Sequence, residues 1–241
     1  MAQSLAARLA EMLGQELRHN PRRLVTRSGF RKRGFHNSWR FGRLPWESAI
    51  ERQMLARLSQ SWLTAQLEVQ PIALQIPCTT DERGYFTYEP DAIALDRHEQ
   101  MYVVEAKSFE DLQTDDVQRK HRDIRIWLQS RSVTFIEVTE RDLGTPALTE
   151  NLRLLRRAGR QLPLTRQLDG TRALILRHQP ATFEDLTTVL GRSRAVHALA
   201  HGHLTFNIHQ VLGPSTALDT QPNEANDAAL FIYARSAVSA V

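Results

Sequence analysis

An aspartate, a glutamate and a lysine stand at the ends of two neighbouring apolar runs. Tyr88-Glu89-Pro90-Asp91 leads into Ala92-Ile93-Ala94-Leu95, and Met101-Tyr102-Val103-Val104 leads into Glu105-Ala106-Lys107. If the runs are adjacent strands, Asp91 and Glu105 meet at one end, and Lys107, two residues on, shares the face of Glu105. Mg²⁺ asks little more of a protein than two carboxylates, because it keeps several waters. An ion held there polarises a phosphate and lowers the pKa of a bound water, while a lysine ammonium can orient that water or stabilise charge growing on the phosphate. Ala106 turns its side chain to the core, but its backbone carbonyl can serve as another oxygen ligand. The chemistry implied is phosphodiester hydrolysis with Mg²⁺, or Mn²⁺ in its place. Taken alone, Pro-Asp and Glu-x-Lys are short patterns that arise by chance, and an edge-strand Glu/Lys pair is usually a solvated face. The order of the pieces, the apolar run adjoining each, and a further carboxylate on an upstream helix, Glu51, favour the chemical reading.

The elements that must position these groups follow from periodicity. Residues 3–18 predict an amphipathic helix ended by Asn20-Pro21, and residues 21–44 an irregular arm. Pro45 opens a helix in which Trp46, Ile50, Met54, Leu58 and Trp62 form a stripe, with Glu47 and Glu51 one turn apart on a shared face. Strands are expected over 69–76, 85–95, 101–107 and 133–138. A charged helix over 111–130 makes the last connection a crossover between parallel strands. A helix over 147–160 ends the core, and residues 161–170, with Pro163 and Asp169-Gly170, read as a linker. Beyond it lie a short strand or helix start at 172–176, a helix capped by Thr182, a second helix over 194–201, a strand over 204–208, and a polar, mobile stretch from 213 to 227. The expected fold is α/β: a mixed sheet flanked by helices, with a small winged-helix-like domain. Three regions result: 1–44, an N-terminal helix and basic arm; 45–162, the core; and 163–241, the C-terminal module.

Charge is unevenly placed along the 241 residues. Between Arg18 and Arg43 nine Arg or Lys residues occur with no Asp or Glu, interleaved with Phe30, Phe35, Trp39 and Phe41. Such a segment can neutralise backbone phosphates and stack on bases, or it can be a solvated arm that keeps the protein soluble. The candidate DNA contacts are Arg31, Lys32, Arg33, Arg40 and Arg43, with Lys120 further on. There is no apolar run of membrane-spanning length and no apolar signal core, and the single Cys78 suits a reducing cytoplasm. A cytoplasmic protein is expected.

The chain resembles the PD-(D/E)xK nuclease superfamily, and within it the TnsA endonuclease subunit of heteromeric transposases. Trp46-Glu47-Ser48-Ala49-Ile50-Glu51-Arg52 is similar to that family's ES-x-x-E-R helix, and Val69-Gln70-Pro71 to its x-Q-P strand. Pro90-Asp91 and Glu105-Ala106-Lys107 follow, then Val138-Thr139-Glu140-Arg141-Asp142-Leu143 and Glu150-Asn151-Leu152. The likeness covers roughly residues 30–160, and Ala200–Ile208 is similar to the family's winged-helix region. It implies that the mixed sheet is restriction-endonuclease-like, that the protein is bacterial and on the nucleoid when active, that Asp91 and Glu105 ligate metal, that Lys107 is the catalytic lysine, and that Glu51 completes the site. It also implies cleavage at the 5′ ends of a transposon in double-stranded DNA, beside a DDE-type transposase that handles the 3′ ends and an AAA+ regulator. Glu47 matches the first Glu of the helix pattern, against which stands a role only in supporting Arg contacts or the helix start. Gln70 can touch DNA or water near the site, or be an ordinary buried strand glutamine.

Other signals weigh less. His197, His201 and His203 lack the cysteines and spacing of a zinc site and are expected to face solvent or DNA backbone. Lys120, His121, Arg122 and Arg125 either face phosphate or pair with Asp115, Asp116 and Asp123 on a surface helix. No Gly-x-Ser-x-Gly elbow and no Gly-x₄-Gly-Lys-Ser/Thr loop occurs, so serine hydrolysis lacks support and ATP use would come from a partner. Two rival readings stand beside the transposon enzyme: a stand-alone restriction or repair nuclease, and a catalytically idle DNA-binding assembly subunit.

Overall fold

The computed structural model describes residues 3–16, 33–78, 82–142, 144–160, 165–220 and 226–229. In chain order the elements are α1 (Leu5–Leu13), β1 (Gly34–Ser38), β2 (Gly42–Trp46), α2 (Ala49–Gln60), β3 (Thr64–Val69), β4 (Leu74–Pro77), β5 (Tyr85–Tyr88), β6 (Ala92–Asp96), β7 (Met101–Ala106), α3 (Phe109–Leu112), α4 (Asp115–Gln129), β8 (Val133–Val138), α5 (Pro146–Gly159), α6 (Thr165–His178), α7 (Phe183–Leu190) and α8 (Arg192–Ala200). A mixed sheet in the order β3-β6-β7-β8 forms the centre. β3, β6 and β7 pair antiparallel, and β7 pairs parallel with β8. That last pairing needs a crossover, which α3 and α4 supply, as the sequence predicts.

Helices cover both faces, which is why β6 and β7 read as continuous apolar runs. Ile93, Leu95, Met101 and Val103 pack with Leu5 and Leu9 of α1 and Ile124 and Leu128 of α4. The alternate residues Ala94, Tyr102, Val104 and Ala106 pack with Met54, Leu55 and Leu58 of α2. A third cluster joins Leu148, Leu152 and Leu155 of α5 to Phe183, Leu186, Val196 and Leu199 of α7 and α8. The fold is thus mixed α/β, a mixed sheet flanked by helices. Among the described residues no helix is long and apolar enough to cross a membrane.

Several boundaries depart from the sequence reading, each for a local reason. α1 ends at Gly14, left-handed at φ 63°, well short of Asn20. Residues 34–46 are a β-hairpin rather than an irregular arm, with Pro45 paired opposite Phe35 inside it. α2 therefore starts later: the Ser48 hydroxyl accepts from the Glu51 N–H at 3.0 Å and caps it, so Glu47 lies outside the helix. The expected strand over 69–76 breaks at Gln70, and that over 85–95 breaks at residues 89–91, so β4 and β5 form a separate hairpin. Residues 165–170, read as linker, are the start of α6. In place of a strand at 204–208 there is one bridge, Thr205 to Asp219. The described residues after Gly213 are tied down: Leu218 N–H donates to Ala181 O at 2.9 Å, and the Asp227 carboxylate accepts from Trp62 N–H at 2.9 Å.

Candidate active site

The β6–β7 ladder sets the geometry. Its register pairs Leu95 with Met101 and Ala92 with Val104. Asp96 N–H donates to Gln100 O at 3.1 Å, which makes that pair a hydrogen-bonded one. Such pairs alternate with non-hydrogen-bonded ones, so Ala92 and Val104 form another. One step further places Asp91 opposite Glu105 at a non-hydrogen-bonded position, where backbones approach most closely and side chains share a face. One more step sets Pro90 opposite Ala106. A hydrogen-bonded pair is due there, but proline has no N–H to give the Ala106 carbonyl. Ala106 N–H donates to Asp91 Oδ2 at 2.8 Å.

The face continues onto β8, where Glu137 lies in register with Glu105. Asp91, Glu105 and Glu137 thus form a row of carboxylates across three strands. Like charges side by side are destabilising unless something neutralises them. Glu137 is neutralised: its Oε1 is 2.6 Å from His121 Nδ1, and Arg125 also pairs with it. Burial raises its carboxyl, but those two partners outweigh burial and hold it below the usual range. Glu105 is held differently. Burial lifts its carboxyl above the usual range; the Tyr88 hydroxyl, donating to Oε2 at 3.0 Å, and the nearby Lys107 ammonium only offset this. Tyr88 is pushed well above its ordinary value, first by burial and then by Glu105 and Asp91, so it stays a donor.

Glu51 reaches the same strand end from α2, on the opposite face of the sheet. Its Oε2 accepts from Glu47 N–H at 2.8 Å. Burial raises its carboxyl, two hydrogen bonds offset this, and the Glu47 and Glu105 charges add to the rise. Glu47 thus supports the helix start through its backbone. Gln70 stands on the third side: its N–H donates to Asp91 O at 3.1 Å, and its φ of 46° is strained for a non-glycine residue. Its Nε2 is buried with no partner among the described residues. Glu105 and Lys107 open onto a polar cleft of about 500 Å³, lined also by Tyr88, Glu89, Lys120 and His121. Asp91 and Glu51 are buried and do not line it.

Among the described residues no three His, Cys, Asp or Glu side chains converge tightly enough to cage an ion by themselves. The donors present still suit Mg²⁺, whose remaining positions are filled by water and phosphate oxygens. They are hard oxygens: two opposed carboxylates and a carbonyl that faces a proline. Tyr88 and Glu137 are the site residues the sequence reading missed. The signal for Glu137 was a lone carboxylate inside the apolar run Val133–Val138.

The predicted DNA contacts fare unevenly. Arg31 and Lys32 lie outside the described residues. Arg33 and Arg43 are exposed, with Arg43 stacked 3.5 Å over the Phe35 ring, and Lys120 lines the cleft. Arg40 is turned inward, donating to the carbonyls of Ser61 and Thr64, so it ties the hairpin to the end of α2. His197, His201 and His203 are half-buried rather than solvent-facing: His201 packs 4.2 Å from both Trp39 and His197, and burial lowers its pKa to about 4. His121 is buried on Glu137, Arg122 is exposed, and Arg125 pairs with Glu137. No model of a known protein family matches the chain, and no curated protein matches its sequence.

Proposed function

We propose that this chain is a Mg²⁺-dependent DNA endonuclease of the restriction-endonuclease-like kind, acting as the TnsA-like subunit that cuts the 5′ ends of a transposon. The carrying observation is the pair Asp91 and Glu105, opposed at one strand end, with Lys107 beside Glu105 at the mouth of a polar cleft. Asp91, Glu105 and the Ala106 carbonyl would hold the ion, with Glu51 a further carboxylate at the site. Bound there, Mg²⁺ or Mn²⁺ would supply positive charge to polarise the phosphate and acidify water.

The residues of the chain do the rest. Tyr88 keeps Glu105 oriented by holding one of its oxygens, leaving the other toward the cleft. Lys107 offers a proton donor beside the attacked phosphate, and Lys120 adds positive charge to the cleft wall. The mixed sheet flanked by helices supports the fold expected of such a nuclease, and the helical C-terminal module would be its winged-helix-like unit. Its products would be 5′-phosphate and 3′-hydroxyl ends, and its partners a DDE-type transposase and an AAA+ regulator.

The test is nicking of supercoiled plasmid carrying transposon ends, with Mg²⁺ or Mn²⁺ and the transposase supplied. Asp91→Ala and Lys107→Ala should each abolish nicking. Undiminished nicking by both would remove this site from consideration.

A further inference from the structure

A second charged site lies on the other side of α2. A pocket of about 230 Å³ between α2 and α5 is lined by Arg52, Arg57, Arg153 and Arg156, with His36 of β1 and Thr149. Among the described residues no Asp or Glu lines it, and neither Arg52 nor Arg156 has a carboxylate partner. Arg153 is held by Glu150, through Nε at 3.0 Å and Nη2 at 2.7 Å. Arg57 is buried and its Nη1 donates to Asp142 O at 2.7 Å, so its guanidinium is fixed. Burial, then the charges of Arg160, Arg52 and Arg153, pull Arg156 below its ordinary value. A fold that gathers guanidinium groups in this way sets their repulsion against its own stability, which is the mark of a site awaiting an anion.

His36 makes the second observation. Its side chain is 1% exposed, its Nε2 lies 2.8 Å from Ser59 Oγ, and its Nδ1 is buried with no partner among the described residues. The Ser59 hydroxyl donates to Ala56 O at 3.2 Å, so it accepts from His36, which places the imidazole proton on Nε2. Nδ1 then carries a bare lone pair among arginines.

We propose that this pocket binds a phosphate group, in the first place one of the DNA backbone, held by the forked guanidiniums of Arg52 and Arg156. Arginine forks match phosphate oxygens in pairs, and such contacts position a duplex without reading its sequence. The pocket shares no lining residue with the cleft of Glu105 and Lys107, so the proposal does not rest on the nuclease reading; a protein that only binds DNA would carry it equally. His36 becomes part of the site once the anion is in place. Burial and then Arg156, Arg160 and Arg52 lower its pKa to about 4. Arg57 also lines the pocket from α2 and Arg153 from α5, while β2 pairs Leu44 with His36. A bound anion offsets those charges, so Nδ1 can take a proton and donate to it.

The experiment uses the full chain carrying Lys107→Ala, which keeps the DNA uncut. Duplex affinity is measured by fluorescence anisotropy across a salt series, with and without Arg52→Gln plus Arg156→Gln. Inorganic phosphate is titrated in parallel while the His36 imidazole is followed by NMR, sulfate-free and at fixed ionic strength. We expect the paired substitution to weaken duplex binding about tenfold and to flatten the salt dependence by about two counterions. Arg52→Lys plus Arg156→Lys should restore the slope but only part of the affinity. If duplex binding is unchanged while phosphate shifts the His36 resonances in the parent and not in the Gln variant, the site stands and its ligand is free phosphate. Unchanged duplex binding together with no phosphate-induced shift overturns the proposal. A thermal midpoint at or above the parent's confirms that the Gln variant folds, because the substitution removes repulsion.

Discussion

Pro90→Ala is a small change with a sharp expectation. Proline at this position leaves the Ala106 carbonyl without the amide that the β6–β7 ladder would otherwise bring to it. Alanine supplies that amide. One new ladder hydrogen bond adds about 0.5–1.5 kcal/mol. Losing the ring gives the unfolded chain back freedom worth about 0.4–1 kcal/mol. The two nearly cancel, so the urea midpoint should scarcely move. Metal binding should not be neutral. An ion that uses the carbonyl must now displace a hydrogen bond of about 1 kcal/mol, which weakens it about fivefold. Mn²⁺ titration by calorimetry measures that loss, and amide exchange reports whether the new N–H at position 90 is protected. A protected amide with undiminished Mn²⁺ affinity would show that the carbonyl is no ligand. An amide that exchanges as freely as a loop residue would show that the ladder does not run on to Pro90, and the register argument would fall.

Three further outcomes are expected. Tyr88→Phe removes a bond made to the ionised form of Glu105, so that carboxyl should rise further, and the acid limb of Mn²⁺ binding should move to higher pH; a limb that stays put in a carboxyl-detected titration contradicts this. His36 should weaken the fold in acid: its folded pKa is about 4 against 6.5 unfolded, so the unfolded chain takes up the proton first. Stability is then full above pH 6.5 and falls as the pH drops towards 4, by up to about 3 kcal/mol; His36→Asn should show a correspondingly shallower pH dependence in urea unfolding. Gly159→Ala puts a Cβ 2.5 Å from Trp39 Cδ1, which packing cannot absorb without a shift, so a loss of about 1–3 kcal/mol is expected by thermal unfolding.

Much of the sheet was legible in the chain because its strands are buried on both faces. Met101–Ala106 and Val133–Val138 are nearly unbroken apolar runs with a charged helix between them, and that pattern has few other solutions. Asp91 and Glu105 were legible for the same reason, as carboxylates where apolar runs begin and end. The hairpin at 34–46 was hidden by its charge and by Pro45, which fits a helix start equally well. The breaks at Gln70 and at residues 89–91 were hidden because alternation runs through them, and only tertiary pairing decides which sheet each half joins. Tyr88 and Glu137 escaped because their role is a partner on another strand, and a single sequence does not state its register. The α2–α5 pocket escaped because its arginines come from separate helices.

Local rules are broken at both sites, and α2 touches each of them. At one, Asp91 and Glu105 oppose each other, a proline occupies a ladder position, and Gln70 holds φ 46°. At the other, arginines crowd a buried imidazole. Glu51 and Arg52, consecutive in α2, turn to the first and the second respectively. The two sites call for ligands of opposite charge: a divalent cation for the carboxylates, a phosphate for the arginines. Metal-bound DNA supplies both at once. Under this reading each ligand relieves strain in a helix shared with the other, so Mn²⁺ and uncut duplex should bind more tightly together than the product of their separate affinities. The linkage is measured by anisotropy on the Lys107→Ala protein with and without Mn²⁺, against Ca²⁺-free buffer of matched ionic strength. It should shrink in Arg52→Gln, which leaves every proposed metal ligand in place. Equal coupling in both proteins would mean that the two sites act independently and that their meeting on one helix is incidental.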